Sequence, residues 1–405
     1  MNNKNSRIFS GMRATGKLHL GHYHGVLKNW VDLQYTNECF FMVADLHVLT
    51  TQYERTKDIE QHAYNMVIDW LACGVDPSQT TIFIQSQVRE HTELALLLSM
   101  ITPRSWLERV PTYKEMMEKL KHKDIDTYGF LGYPVLQSAD ILLYKTKYVP
   151  VGEDQLSHIE FTREIARRFN HIYGCEDGFE KKAREVIKKL GNKKAALYEK
   201  LLIEYQQDGN DEAIEKARYL LDDAVNLSSG EIERLFAFLE NKSRVILTEP
   251  EALLTQTSKL PGLDGQKMSK SYNNTIFIRE DKDSISSKIK VMQTDPARIR
   301  KTDKGDPNKC PVWQLHKVYS NTTTCDWVVN GCKSASIGCL ECKKPLIDSI
   351  VIEQEQFRLK ALPFEEDCNL IKNILEDGAE RASAIAKHTL NEVKEAMHLT
   401  YNGNI

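Results

Sequence analysis

Two kinds of apolar run alternate along the first half of this chain. Cys39–Leu49, CFFMVADLHVL, is almost continuously apolar with one acid inside it. Such a run predicts a strand buried on both faces, followed by its exit turn. Thr81–Gln85, TIFIQ, reads the same way. Ser6–Ser10 is shorter, with only Ile8 and Phe9 apolar, and predicts a strand entering Gly11–Gly16. Helical spacing separates these runs. Val26, Leu27, Trp30 and Leu33 recur at that spacing, as do Ile59, Ala63, Val67 and Leu71 before Asp76-Pro77 breaks the pattern. Glu93–Met100 is a further helix, Pro103–Asp126 is charged and helical at its centre, and Ser157–Phe169 is amphipathic. Strand and helix in this order predict an α/β domain with a doubly wound parallel sheet.

The pattern changes over residues 176–248. Phe179, Ala183, Val186, Ile187 and Leu190 fall three and four apart with Lys and Glu between them. Leu197, Leu201 and Leu202 continue the spacing, and Ala213, Ala217, Leu220, Leu221 and Ala224 form another stripe. Ser228 followed three residues later by Glu231 predicts a capping box before Ile232, Leu235, Phe236 and Leu239. This stretch reads as a helical subdomain with no catalytic constellation.

Within Gly132–Gln155, GYPVLQSADILLYKTKYVPVGEDQ, one acid is embedded in an apolar frame. Asp140 lies among Ala139, Ile141, Leu142, Leu143 and Tyr144. A buried carboxylate needs donors. Either it is a structural acid, or it receives a ligand N–H while its neighbours hold a flat hydrophobic body. The Ser138–Tyr144 portion is ambiguous: Ser138 is a candidate N-cap, or the segment is a helix passing beneath a pocket.

Composition narrows the class without naming a function. The chain has 405 residues, 27% of them charged, with a formal net charge of −3. That length predicts a sizeable core and two domains. The near-neutral total leaves room for a local basic face. No apolar run of membrane-spanning length is present. The N-terminal residues MNNKNSRIFSG carry no signal-peptide h-region. The expected location is the cytoplasm, with no membrane partner.

Two polar stretches carry candidate chemistry. Lys17–Gly25, KLHLGHYHG, places His19, Gly21 and His22 at the start of a predicted helix. Free N–H groups and the helix dipole favour phosphate there. A histidine pair three apart also suits a metal, or simple capping and packing. Gly11 and Gly16 flank a polar loop that can bring backbone N–H groups to an anion. Pro261–Asn274, PGLDGQKMSKSYNN, reads as an exposed loop with Lys267 and Lys270 three apart. It could close on polyphosphate, or be a solvated basic turn.

Together and in order, these stretches resemble the two signatures of class I aminoacyl-tRNA synthetases: His19-Leu20-Gly21-His22, and Lys267-Met268-Ser269-Lys270-Ser271. GYPVLQSADILLY followed by VPVGEDQ is similar to the bacterial-type tryptophanyl-tRNA synthetases, not to their tyrosyl relatives. So are IFIQSQV at Ile82–Val88 and GAERASAIAKHTLNEVKEAM at Gly378–Met397. The resemblance implies a Rossmann-like catalytic domain over 1–175 and 249–280, interrupted by the 176–248 insertion, then a helical anticodon-binding domain over 281–405. It implies a homodimer that joins L-tryptophan to tRNA(Trp) through a tryptophanyl-adenylate, with ATP and Mg²⁺. The implied catalytic residues are His19, His22, Lys267 and Lys270. Asp140 corresponds to the acceptor of the indole N–H, with Phe9, Tyr133, Gln137, Ile141, Val149 and Val151 around the ring. The implied ATP contacts are Gly11, Arg13, Thr15, His19, Gly21, His22, Gly152, Asp154, Gln155, Lys267, Met268, Ser269 and Lys270. Three positions depart from the family's usual residues: Arg13 replaces Gln, Arg89 replaces Pro, and Gln137 replaces Met.

Cysteine spacing adds a separate expectation. Cys310, Cys332, Cys339 and Cys342 follow C-x21-C-x6-C-x2-C, with Cys325 between the first two as an alternative ligand to Cys310. Four thiols so placed suit zinc or a [4Fe–4S] cluster. A subset of tryptophanyl-tRNA synthetases resembles this spacing and carries a [4Fe–4S] cluster, so the cluster is expected, with zinc and no metal as alternatives. Cys39, Cys73, Cys175 and Cys368 read as small core residues.

Overall fold

The computed structural model describes residues 6–111, 113, 126–174, 178–240, 245–254 and 260–401. Most of the Pro103–Asp126 stretch, and Cys175, lie outside them. The chain divides into two compact units. The first holds Met1–Gln87, Pro150–Asp154 and Leu253–Ala382; the second holds Val88–Val149, Gln155–Ala252 and Ser383–Ile405.

Five strands form one sheet: β1 (Arg7–Arg13), β2 (Glu38–Ala44), β3 (Thr80–Ile84), β4 (Tyr148–Val151) and β5 (Glu251–Leu254). Their spatial order is β3-β2-β1-β4-β5. β1 pairs in parallel with β2, Arg7 opposite Glu38, and β2 in parallel with β3, Cys39 opposite Thr80. The apolar runs predicted β2 and β3 because both lie inside the fold: Phe40, Phe41, Val43, Ile82 and Phe83 are all buried. β1 runs farther than expected. Gly11–Arg13, read as loop, pairs with Met42–Ala44 and is strand. The strand order reverses between β1 and β4, the switch point where doubly wound sheets bind ligands beyond the strand ends.

In the first unit, Trp30 stacks on Phe41 at 4.1 Å between ring centroids and meets Trp70 edge-on at 5.1 Å. These large side chains join the helix after β1 to β2 and to the Ile59–Ala72 helix. That helix packs against the Cys339–Glu366 helix. A second core cluster gathers Leu20, Leu260, Met268, Ile276 and Leu346.

In the second unit, the Tyr128–Leu142 helix packs against the Glu90–Ser99 and Leu156–Tyr173 helices. It begins ten residues before the Ser138 cap considered from sequence. Thr127 is the cap, its Oγ1 accepting from the Phe130 amide at 3.2 Å. Ser138 instead donates from Oγ back to the Pro134 carbonyl at 2.8 Å, which a mid-helix serine does to satisfy itself. The insertion is helical as its spacing predicts, but the stripe that continues through Leu197–Leu202 is broken after Lys189, giving four helices: Phe179–Lys189, Asn192–Asp208, Asp211–Asp222 and Ser229–Leu239. The capping box is present, with the Ser228 amide donating to the Glu231 carboxylate at 2.9 Å. The packed stripe includes Ala183, Tyr198, Ala217, Leu221 and Leu235. Cys39 and Cys73 are buried as expected, but Cys368 is exposed at the first turn of its helix, which corrects its reading as a core residue. Among the described residues, no helix is long and apolar enough to cross a membrane.

Gly378, on the Cys368–Ala396 helix, marks the closest approach of helix to sheet in the first unit. A Cβ there would stand 1.8 Å from the Ile82 carbonyl oxygen on β3. Arg381, one turn on, reaches from Nη2 to the Thr80 carbonyl at 3.3 Å. Gly378→Ala must therefore push the helix off β3. We expect a loss of about 1–3 kcal/mol, read as a lower urea midpoint at unchanged slope. A midpoint equal to that of the parent protein would contradict the packing described.

Candidate active site

The first unit brings the two basic and histidine-bearing stretches together through backbone pairing. His19 and Phe277 form an antiparallel bridge. The Leu20 amide donates to the Ile276 carbonyl at 3.0 Å, and the Ile278 amide to the Leu18 carbonyl at 2.9 Å. Asp69 braces this pairing, with Oδ2 accepting from the Leu18 amide at 3.3 Å and Oδ1 from Arg279 Nε at 2.6 Å.

His19 is extended at the N-cap of the helix that starts at Leu20. Its amide donates to His22 Nδ1 at 3.1 Å, and the two rings stand 3.8 Å apart. His22 Nδ1 is therefore an acceptor, and its proton sits on Nε2. The buried Nδ1 of His19 has no partner. Gly21 leaves room for that ring, since a Cβ would lie 3.0 Å from His19 Cε1 and Nδ1. The helix widens into a π-turn over Tyr23–Leu27, a distortion that recurs at functional sites. Burial, reinforced by the charges of Lys270 and Lys267, holds His19 down at about 4. Burial, then His19 and the same two lysines, holds His22 at about 3. Both imidazoles are neutral at pH 7.

Lys270 is tethered across this site. Its Nζ donates to the Thr15 and Gly16 carbonyls, each at 3.1 Å. Burial lowers its pKa. Lys267 is exposed, while Met268 is buried among the apolar residues around Leu20. The loop that carries them is organised by Asn274, which lies buried. Its Oδ1 accepts from the Ser269 amide at 2.8 Å, and its Nδ2 donates to Asp264 at 2.7 Å and to the Lys267 carbonyl at 3.2 Å. Gly262 makes space for it, because a Cβ there would stand 2.3 Å from the Asn274 amide. Sequence reading missed Asn274; a polar residue at a loop's end carries no sign of facing inward.

The other expected nucleotide residues lie on or just after β1 and β4. Gly11 and Arg13 end β1, and Arg13 Nη2 bonds Thr51 Oγ1 at 2.5 Å. Gly152 and Asp154 follow β4 in the first unit, and a Cβ on Gly152 would meet Asp154 Oδ1 at 2.8 Å. Gln155 caps the Leu156–Tyr173 helix and belongs to the second unit.

The second unit holds Asp140 on the Tyr128–Leu142 helix, 1% exposed. His91 Nδ1 lies 2.6 Å from its Oδ1, and His91 Nε2 lies 2.8 Å from the Tyr144 hydroxyl. Burial, then the charges of Asp140 and Glu90, push the Tyr144 phenol well above its usual range. Ile141 and Val149 are buried, Gln137 is half-buried, and the Tyr133 hydroxyl stands 3.5 Å from His158 Nε2. Phe9 and Val151 lie on β1 and β4 in the first unit. His91 also escaped sequence reading, since one histidine in a helix start gives no signal. Arg89 precedes that helix at φ −60°, a backbone angle that suits proline equally.

The expected metal centre does not fit. Cys310, Cys332, Cys339 and Cys342 come into one neighbourhood, where each of the other three raises the pKa of Cys342, after burial, to about 12. Yet among the described residues no three His, Cys, Asp or Glu side chains are placed to hold a metal ion. The sulfurs are taken up otherwise. Cys342 Sγ lies 3.5 Å from His316 Nε2, and Cys332 Sγ lies 3.8 Å from Arg298 Nη1. Cys325, the alternative ligand, donates to the His316 and Ser320 carbonyls. Cys310 and Cys342 also pack on the apolar cluster around Leu346. The [4Fe–4S] cluster, zinc, and membership of the cluster-bearing subset are therefore corrected.

The sequence matches the family described as tRNA synthetases class I (W and Y) over residues 1–201 and 222–352. It is 59% identical over 396 residues to the tryptophan–tRNA ligase of Ralstonia nicotianae, covering 98% of this chain and 99% of that one. It is 41% identical to the tryptophan–tRNA ligase of Thermotoga maritima, covering 98% of this chain and 100% of that one. Among solved structures, tryptophanyl-tRNA synthetase from Campylobacter jejuni, complexed with ADP and tryptophan, superposes with a TM-score of 0.72 at 25% identity over 97% of this chain and 100% of that one. A sheet with its switch point beside paired histidine and lysine signatures, and relatives matched end to end, lead to one conclusion: the chain belongs to the class I aminoacyl-tRNA synthetases of the W and Y group, among the bacterial-type tryptophanyl-tRNA synthetases.

Proposed function

We propose that His19, His22, Lys267 and Lys270 handle the triphosphate, and Asp140 the indole N–H, in an enzyme that charges tRNA(Trp). The chain catalyses ATP-dependent formation of tryptophanyl-adenylate and transfer of the tryptophanyl group to tRNA(Trp), releasing pyrophosphate and AMP. The observation that carries the assignment of roles is the backbone pairing of Leu18–Leu20 with Ile276–Ile278, which sets both histidines beside the lysine loop.

The tryptophan carboxylate is ionised at neutral pH and attacks the α-phosphorus in line, so no strong general base is required. Catalysis rests on position and on charge stabilisation. His22 donates from Nε2 to a phosphate oxygen as a neutral imidazole. Lys267 and Lys270 take up charge on the departing pyrophosphate. Mg²⁺ accompanies ATP, held by phosphates and water. The remaining nucleotide contacts are Gly11, Arg13, Thr15, Gly21, Gly152, Asp154, Gln155, Met268 and Ser269. The 2′-hydroxyl of the terminal adenosine then takes the tryptophanyl group. Tyr133, Gln137, Asp140, Ile141 and Val149 are assigned to the indole, as are Phe9 and Val151. Phenylalanine has no donor for Asp140 and forgoes that bond, which is how the site rejects it. The same reading takes the protein as a cytoplasmic homodimer. Residues 1–175 and 249–280 form its catalytic part, 176–248 an insertion and 281–405 the anticodon-binding part.

Amino-acid-dependent exchange of pyrophosphate into ATP tests the whole reading. Tryptophan should support exchange and tyrosine should not; tyrosine outperforming tryptophan would sink it. Replacing either lysine, Lys267→Ala or Lys270→Ala, should lower kcat for exchange by about 10²–10³-fold, with the KM for tryptophan nearly unchanged. A loss confined to KM for tryptophan would remove the lysines from this role.

The depressed histidines also predict acid lability. In the unfolded chain they titrate near 6.5, in the folded one at about 4 and about 3. Between these values the unfolded chain binds more protons, so stability falls as pH drops from about 6.5 toward about 3 and is unaffected above that window. His22→Asn should flatten part of this fall in urea midpoints measured across the window. An unchanged slope would show that His22 is not held neutral by the fold.

A further inference from the structure

We propose that His91 is a positioning residue for tryptophan recognition: held in place by Tyr144, it donates to Asp140 and fixes that carboxylate as an acceptor. This rests on the reading of Asp140 as the acceptor of the indole N–H.

The three side chains are at most 1% exposed. Asp140 and Tyr144 are four residues apart at the end of one helix and its exit, so they share a face. His91 comes from the neighbouring Glu90–Ser99 helix and stands between them, 2.6 Å from Asp140 Oδ1 and 2.8 Å from the Tyr144 oxygen. An ionised carboxylate has no proton to give, so the 2.6 Å contact requires the imidazole proton on Nδ1, which donates to Asp140 Oδ1. The phenol, kept protonated by burial and by the charges of Asp140 and Glu90, holds the ring from its other side at Nε2.

Two consequences follow for recognition. First, a carboxylate with its charge buried this deeply needs a fixed donor to remain an acceptor, and His91 is that donor. Second, the bond pins the χ2 rotation of Asp140. A carboxylate free to turn could meet the donor of a wrong ligand, or spend its lone pairs on water. A pinned one accepts only where the indole N–H arrives. His91 thereby acts on discrimination through Asp140, without touching substrate.

The test compares kcat/KM in pyrophosphate exchange for tryptophan and for 3-(benzothiophen-3-yl)alanine, which has the same outline with sulfur in place of N–H. The ratio of the two values reports the acceptor alone. His91→Leu should lower the ratio about tenfold to a hundredfold while the KM for ATP stays put. His91→Asn should restore much of it, because the asparagine Nδ2 takes the place of the histidine Nδ1. Tyr144→Phe deletes one oxygen at conserved shape, keeps the test available should His91→Leu fail to fold, and should lower the ratio by a smaller factor. Asp140→Ala separates the two layers of the argument. If it leaves the ratio unchanged, Asp140 is not the acceptor and the underlying reading fails. If it collapses the ratio while His91→Leu and Tyr144→Phe keep the parental value, the acceptor stands and the relay is overturned. Equal losses for both amino acids in His91→Leu would make His91 a packing residue and overturn it too.

Discussion

The first unit depends on a short antiparallel pairing that no helix or long strand provides. Leu18–Leu20 and Ile276–Ile278 exchange two backbone hydrogen bonds across a gap of more than 250 residues in sequence. Two such bonds are modest by themselves, because each replaces bonds to water. The pairing holds because its ends are anchored. Leu20 and Ile276 are buried in one apolar cluster with Met268. On the other side, Asp69 and Arg279 form a buried ion pair, and Arg279 also bonds Glu365. Removing one partner of such a pair strands a buried charge at a cost of about 3–5 kcal/mol. The lysine loop is therefore mounted on the histidine helix by a rigid base, with Gly265–Lys267 at its tip left exposed.

That arrangement explains the charge state of the site. Two imidazoles packed against each other and near two lysines could not carry protons of their own without strong repulsion. Burial and the lysine charges act in the same direction and keep both neutral. A neutral imidazole still donates one N–H, and the bond from the His19 amide to His22 Nδ1 decides which nitrogen of His22 does so. On the proposed reading, the positive charge needed by a triphosphate comes from Lys267 and Lys270. Lys270 spends its donors on the Thr15 and Gly16 carbonyls in this structure, and an arriving phosphate would have to draw it away. Part of the binding energy is thus exchanged rather than gained.

What was legible in sequence was whatever depends on local pattern. Continuous apolar runs gave β2 and β3, and three-and-four spacing gave the helical character of the insertion with the Ser228–Glu231 box. Asp140 could be singled out because a lone acid among apolar residues is costly wherever it lies. The errors share a physical cause. The Tyr128–Leu142 helix starts ten residues before the Ser138 cap considered because the Thr127 cap and packing on two neighbouring helices outweigh the low helix propensity of Gly129, Gly132 and Pro134. Cysteine spacing brought four thiols into one neighbourhood but says nothing of where the sulfurs point, and those sulfurs face Arg298, His316 and an apolar cluster. Asn274 and His91 were invisible for the converse reason: each acts through partners distant in the chain.

In the role proposed for Asp140, burial turns from a liability into selectivity. In an exposed carboxylate, losing the indole donor would be made good by water, and a ligand without N–H would suffer little. Burial removes that remedy, so the full cost of an unpaired acceptor falls on the wrong ligand. The same burial would raise the free energy of the empty site and invite protonation, which would turn the acceptor into a donor. On the proposed reading the His91 donor at Oδ1 eases that conflict, since it satisfies one oxygen of the acid from within the fold. An imidazole held at its other nitrogen by Tyr144 is fixed in orientation, and this makes His91 a steadier neighbour for a recognition acid than a long, flexible lysine would be.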